Sequence, residues 1–144
     1  MVLFYKGDLK LLENDINIAI IGLTTPSAGI EKLESAVVAE FAKYNAVIVS
    51  GLAIGCDTIA HKQAIKNNVS TIAILSSILK NIIPKENNEL AKDIVLNGGL
   101  LISEYYQDAR SKQEQIARFI KRDRLQAMFS DMVVLSASYS KKIR

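Results

Sequence analysis

Gly51, Gly55 and Asp57 fall within eight residues, SGLAIGCD at 50–57, directly after the apolar run Val47-Ile48-Val49. Glycines let backbone N–H groups approach a ligand closely, and a helix N-terminus favours negative charge. A glycine loop feeding a helix is therefore an anion site, usually for phosphate. The spacing G-x-x-x-G-x-D is neither the dinucleotide fingerprint G-x-G-x-x-G nor the P-loop pattern, so neither standard nucleotide loop applies. The competing reading is a strand-to-helix turn whose glycines only permit close packing. A second constellation is cationic. Between residues 110 and 124 stand Arg110, Lys112, Arg118, Lys121, Arg122 and Arg124 against Glu114 and Asp123, a local excess larger than the whole-chain charge of +3. Positive charge concentrated on a nearly neutral body suits a polyanion; the competing reading is a solvated helix face.

Three other residues invite chemistry. His61 has no serine or cysteine nucleophile at motif spacing, so a structural histidine is expected. Cys56, beside a helix start, has either a lowered pKa or the role of a small buried filler, and the filler is preferred. Glu104 is expected to make a structural hydrogen bond. One cysteine and one histidine are too few for a usual zinc site and point to no cofactor.

The elements that must position these residues alternate. Residues 17–22 (NIAIIG), 46–50 and 71–75 (TIAIL) read as buried strands, with shorter candidates at 100–103 and 132–135. Continuous apolar runs are expected of strands covered on both faces. Between them, 31–44 places Leu33, Ala36, Val37, Phe41 and Tyr44 on one helical face. Residues 58–67 and 86–97 are also helical, the second closed by Gly98-Gly99. A helix over 116–128 would turn Ile116, Phe119, Ile120 and Ala127 to the core and Arg118, Lys121, Arg122 and Arg124 outward, so that replacing Arg122 and Arg124 together by alanine should have little effect on folding. Phe119 could also stack on a base. This alternation predicts an α/β fold, a Rossmann-like three-layer sandwich with a mainly parallel sheet. Ligands in such sheets bind outside the carboxyl ends of the strands, here Gly22, Ser50, Leu75-Ser76-Ser77 and Ser103-Glu104.

At 144 residues and 49% hydrophobic content, one domain over 1–144 is expected. No apolar run is long enough to span a bilayer, no leader is read at the N-terminus, and the expected setting is a reducing cytoplasm. Lys141, Lys142 and Arg144 read as a frayed tail.

The order of the pieces resembles the DNA-processing protein A (DprA/Smf) family. The matching segments are SGLAIGCDTIAH at 50–61, TIAILSSILKNIIPKENNELAKDI at 71–94, GGLLISEY at 98–105 and FIKRDRLQAMFSD at 119–131, together with the opening VLFYKGDLKLLENDINIAIIG at 2–22. The resemblance implies a cytoplasmic single-stranded DNA-binding protein that loads the RecA recombinase during natural transformation, with no known catalytic centre and no cofactor. It implies that Gly22, Ser50, Gly51 and Gly55 line a pocket for the DNA backbone. Arg122 and Arg124 match the family's R-N-R, with Asp123 in place of the asparagine, and Phe119 matches the aromatic that opens that motif. Arg118 and Lys121 join them as cations, and Asp57 is assigned to capping the helix that follows.

The chain also departs from the family pattern. Gly22-Leu23-Thr24 stands where the family has G-S-R, and Ser76-Ser77-Ile78 where it has a glycine pair, so that Ile78 would crowd a backbone. Lys80 takes a usually acidic position. The family continues beyond the last strand read here, so the domain is expected to be incomplete at its C-terminal end, with a partial pocket and without the family's usual contribution to a homodimer. Two alternatives follow: a truncated relative without DNA binding, and a nucleotide sensor or N-glycoside hydrolase of the related Rossmann-like group. The second lacks the P-G-G-x-G-T loop.

Overall fold

In the computed structural model, residues 1–138 are described, so Lys141, Lys142 and Arg144 lie outside the described residues. The strands are β1 (Phe4–Gly7), β2 (Asn17–Ile21), β3 (Val47–Ser50), β4 (Thr71–Ile74), β5 (Leu100–Ser103) and β6 (Met132–Leu135). The helices are α1 (Ala28–Ala42), α2 (Cys56–Lys66), α3 (Asn88–Leu96) and α4 (Lys112–Met128), with short 3-10 turns at Leu9–Glu13 and Lys85–Asn87. The sheet runs β1-β5-β4-β3-β2-β6, parallel except for β1, which pairs antiparallel with β5.

Residue alternation along the strands divides the core in two. Val47, Val49, Ile72, Ile74, Leu100 and Ile102 face the layer that contains Leu125 of α4, with Leu11, Leu12 and Phe129 packed around it. Ile18, Ile20 and Ile48 face Val38 of α1 and Ala60 and Ala64 of α2, while Ala73 and Leu101 meet Leu90, Ala91 and Ile94 of α3. Helices α1 to α3 thus cover one face and α4 the other, the three-layer α/β arrangement expected from the apolar runs. The C-terminus of α3 closes as anticipated at Gly98 (φ +78°), where Gly98 and Gly99 donate back to the carbonyls of Val95 and Ile94. No helix among the described residues is long and apolar enough to cross a membrane.

From β2 the chain steps through β3 and β4 to β5, then returns over the sheet through α4 to place β6 on the far side of β2. The direction of winding therefore reverses between β2 and β6, and that reversal opens a crevice at the carboxyl ends of these two strands. Helices α1 and α4 each begin with a serine cap: Ser27 Oγ accepts from Ile30 N–H (3.3 Å) and Ser111 Oγ from Glu114 N–H (3.1 Å).

Two expectations fail here. In α1 the inward residues are Glu34 and Val38, flanked by Ile30 and Phe41, while Leu33 and Tyr44 are exposed. The inward stripe lies one residue round the helix from the apolar one, because Ile30, Glu34 and Val38 follow the i, i+4 row that meets β2 and β3. Strand β6 is apolar but not covered on both faces: Met132, Val133 and Leu135 are exposed, since among the described residues it pairs only with β2.

Candidate functional site

The crevice at the β2/β6 reversal is an open cleft of about 510 Å³. Ile21 and Gly22 close β2 on one side of it and Leu135 closes β6. Ala53, Ile54 and Asp57 come from the glycine loop and the start of α2, and Phe119, Ile120, Arg122, Asp123 and Gln126 from α4. Its walls are mainly apolar, and its charges sit together at the α4 side.

Helix α4 is rotated relative to the expectation from its sequence. Arg118, Arg122, Leu125 and Gln126 are buried, and Ile116 and Ile120 are exposed. The reason is that α4 lies across the carboxyl edge of the sheet, where strand-end carbonyls need donors more than they need aliphatic cover. Gln115 Nε2 donates to Ser76 O (3.1 Å), Arg118 Nη1 to Gln107 O (2.8 Å) and Arg122 Nη1 to Gly51 O (2.5 Å). Long polar side chains at 115, 118 and 122 thus form the seam, and their aliphatic stems contribute the packing.

Each arginine of α4 already has a carboxylate. Arg118 pairs with Glu114 at 3.0 Å and stacks 4.0 Å above the Tyr105 ring. Arg124 pairs with Glu104 at 2.6 Å, which also gives Glu104 the structural bond expected of it. Arg122 lies between Asp57, 4.0 Å away and buried, and Asp123, 3.5 Å away and exposed, with the Phe119 ring centre at 5.5 Å. Burial raises the Asp57 carboxyl above its ordinary range, and the adjacent Arg122 and the Ala53 N–H pull it back.

The expected site residues therefore separate. Gly22, Phe119 and Arg122 line the cleft. Arg118 lines a smaller pocket of about 190 Å³ with Glu104, Tyr105 and Tyr106. Lys121 and Arg124 are on the solvent side of α4. Ser50 is fully buried and donates to Ile20 O at 2.6 Å. The other strand-end serines, Ser76, Ser77 and Ser103, are likewise buried within the fold. Gly51 lies beneath Arg122: a Cβ there would stand 2.5 Å from the guanidinium carbon. At Gly55 a Cβ would stand 2.5 Å from the Leu23 and Thr24 backbone, and at Gly22 it would stand 2.6 Å from Cys56 Sγ.

Asp57 is not the cap of α2. That position belongs to Gly55, which has no side chain to offer, and Asp57 Oδ2 instead accepts from Ala53 N–H at 3.2 Å. The loop is pinned from outside by Asn87, whose amide donates to Leu52 O (2.9 Å) and Thr58 Oγ1 (2.9 Å). Cys56 is buried, and burial with the nearby Glu34 carboxylate pushes its thiol pKa up, which suits a filler rather than a nucleophile. Among the described residues, no cluster of histidine, cysteine and carboxylates could hold a metal.

Sequence reasoning missed Glu34. Its carboxyl is buried behind the cleft and accepts from Ser136 Oγ, just after β6. Burial is the main cause of a pKa pushed up to about 7. His61 behaves oppositely. Thr71 Oγ1 gives its proton to Ile48 O (2.7 Å), so His61 Nδ1 must donate to Thr71 Oγ1 (2.7 Å), which leaves Nε2 bare. Burial, reinforced by Arg122, holds its pKa down to about 3.

These two groups shape the pH dependence of folding. The unfolded chain protonates its histidine below 6.5, whereas the fold resists until about 3, so stability falls as pH drops through that window. Glu34 stays protonated in the fold up to about 7 but ionises near 4.5 when unfolded, so stability falls as pH rises from 4.5 to 7. Between 4.5 and 6.5 the two slopes oppose each other. Measured against the wild type by urea unfolding over that window, Glu34→Gln should gain about 1 kcal/mol per pH unit on going up. Profiles of equal slope would mean that Glu34 titrates as it does in water.

Fold and cleft together define a doubly wound, Rossmann-like domain with its candidate site at the topological switch point. The sequence pattern of the family described as DNA recombination-mediator protein A matches residues 1–141, and the chain belongs to that family. It is 32% identical to the DNA processing protein DprA of Bacillus subtilis over 93% of this chain and 44% of that protein. It is 39% identical to that of Streptococcus pneumoniae over 73% of this chain and 36% of the relative. The chain thus spans less than half the length of these curated relatives. Among solved structures, DNA processing protein A of Helicobacter pylori, described for its single-stranded DNA binding mode, matches with TM-score 0.80 at 35% identity, over 92% of this chain and 59% of that one. The S. pneumoniae structure matches with TM-score 0.81 at 34% identity, over 92% and 45%.

Proposed function

We propose that this chain binds single-stranded DNA without catalysis, through the switch-point cleft and the solvent side of α4. The observation that carries this reading is that the Phe119 ring and the Arg122 guanidinium line one open cleft. A ring on which a base can stack, beside a cation for the backbone, is what sequence-tolerant single-strand binding requires. The H. pylori relative, described for that binding, supports it. On this reading Gly51 and Gly55 shape the floor of the site rather than touch the strand, and Lys121 and Arg124 extend the interface along α4. Residues 1–144 act as one such domain. Loading of RecA during transformation and a cytoplasmic setting belong to the same proposal through the family.

Anisotropy of a labelled oligo-dT at several salt concentrations tests it. Log affinity should fall linearly with log salt, by about 0.7 for each phosphate neutralised, so that Arg122, Lys121 and Arg124 together give a slope near −2. The pairing of Arg118, Arg122 and Arg124 with carboxylates favours a second reading, a relative that folds but no longer binds DNA. A folded protein that fails to bind at low salt would select it.

A further inference from the structure

We infer that Asp123 sets the anion affinity of the switch-point cleft by pairing with the Nε edge of Arg122. The inference rests on the reading of that cleft as the nucleic-acid site and identifies the residue that tunes it.

Charge is the first ground. Among the described residues, the lining of the cleft carries one cation, Arg122, and two carboxylates, Asp57 and Asp123. A site so composed repels phosphate unless one carboxylate yields. Asp57 cannot, because its side chain is 8% exposed, accepts the Ala53 N–H and faces the inner side of the guanidinium. Asp123 is placed differently. Its side chain is 58% exposed, its Oδ1 lies 3.5 Å from Arg122 Nε, and Gln126 Nε2 steadies it from the next turn at 3.1 Å.

Hydrogen-bond geometry is the second ground. Arg122 gives Nη1 to Gly51 O, whereas its buried Nε lacks a hydrogen-bond partner, since 3.5 Å to Asp123 is too long for a good one. The Nε–H is therefore left without a hydrogen bond on the edge that Asp123 faces. A phosphate in the cleft would compete with Asp123 for the charge of the guanidinium. The carboxylates of the other two arginines do not line the cleft: Glu104 and Glu114 both line the smaller pocket.

Asp123→Asn removes the charge while keeping an oxygen for Gln126, and Asp57 still neutralises Arg122, so the unfolding midpoint should not move. A unit charge a few ångströms from a bound phosphate, partly screened by solvent, shifts affinity by about tenfold. The variant should therefore bind oligo-dT about tenfold more tightly than the wild type at equal salt. Equal affinities overturn the inference and leave the DNA-binding reading standing. A pyrophosphate titration followed by the arginine Nε–Hε resonances decides the matter without DNA, with Arg122 assigned by its loss in Arg122→Lys. The Arg122 signal should move at about tenfold lower pyrophosphate in Asp123→Asn. Equal midpoints, or no movement in either protein, overturn the inference. Failure of both proteins to bind oligo-dT would instead count against the DNA-binding reading, with the pyrophosphate result still deciding the role of Asp123.

Discussion

Arg122→Ala should lower the unfolding free energy by about 3–5 kcal/mol, the range for breaking a buried ion pair from one side. From sequence alone this residue belongs to an exposed cationic face and should be removable at little cost. Its 5% exposure and its bond to Gly51 O reverse that. Truncation strands the buried Asp57 carboxylate and takes the donor from a strand-end carbonyl, and both losses are felt in full because neither group reaches water. Chemical denaturation with a double-mutant cycle separates the parts. Adding Asp57→Asn to Arg122→Ala should recover some of the loss, since the stranded charge is gone. Lys121→Ala, on the exposed side of the same helix, should stay within about 0.5 kcal/mol of wild type. A wild-type-like unfolding curve for Arg122→Ala would mean that the guanidinium spends its time in solvent. Oligonucleotide affinity of Arg122→Ala should be compared only where the variant is still folded.

That reversal marks where sequence pattern stopped being informative. The strands were legible because parallel strands covered on both faces must be continuous apolar runs, and Ile18, Ile48, Ile72 and Ile102 all proved to be core. The order of strands and helices, with right-handed crossovers, then left few ways to assemble them. Helix α4 was not legible because it carries two competing stripes, Ile116-Phe119-Ile120 and Arg118-Arg122-Leu125. Hydrophobic periodicity selects the first. The fold selects the second because the carbonyls of Gly51, Ser76 and Gln107 lie beneath the helix, and no property of residues 112–128 reveals that. Glu34 was hidden for a related reason. A glutamate on a surface helix is read as solvent-facing, and its burial comes from the inward row it shares with Val38, with Ser136 after β6 as its partner. Phe119 and Gly22 were reached from sequence as cleft residues, but the apolar walls at Ile21, Ile54 and Leu135 come from three separate segments that only the closed sheet brings together.

Gly55→Val should cost more than any surface change in the chain, above about 4 kcal/mol, and should leave little folded protein at 37 °C. Two separate penalties meet at this residue. Its backbone sits at φ +85°, ψ −128°, a conformation that L side chains rarely adopt and that costs roughly 1–3 kcal/mol to impose. Its Cβ would also stand 2.5 Å from the Leu23 oxygen and from the Thr24 carbonyl carbon and oxygen, which are backbone atoms and cannot swing aside. The Leu23 carbonyl is fixed in turn, because it accepts the Cys56 N–H at 2.9 Å and so ties the end of β2 to the start of α2. Even Gly55→Ala must therefore pull those elements apart. Gly51→Ala is the informative contrast. A Cβ there meets the Arg122 guanidinium and Asp57 Oδ2, groups at the ends of side chains, and Gly51 carries no positive φ. Its cost should be smaller, and it should fall on the Arg122 contact and hence on oligonucleotide affinity. Thermal unfolding of the three variants, beside anisotropy on those that fold, reads both effects. A Gly55→Ala protein as stable as wild type would show that the 22–24 loop yields readily, and the glycine would then be free to serve a ligand rather than the packing of β2 on α2.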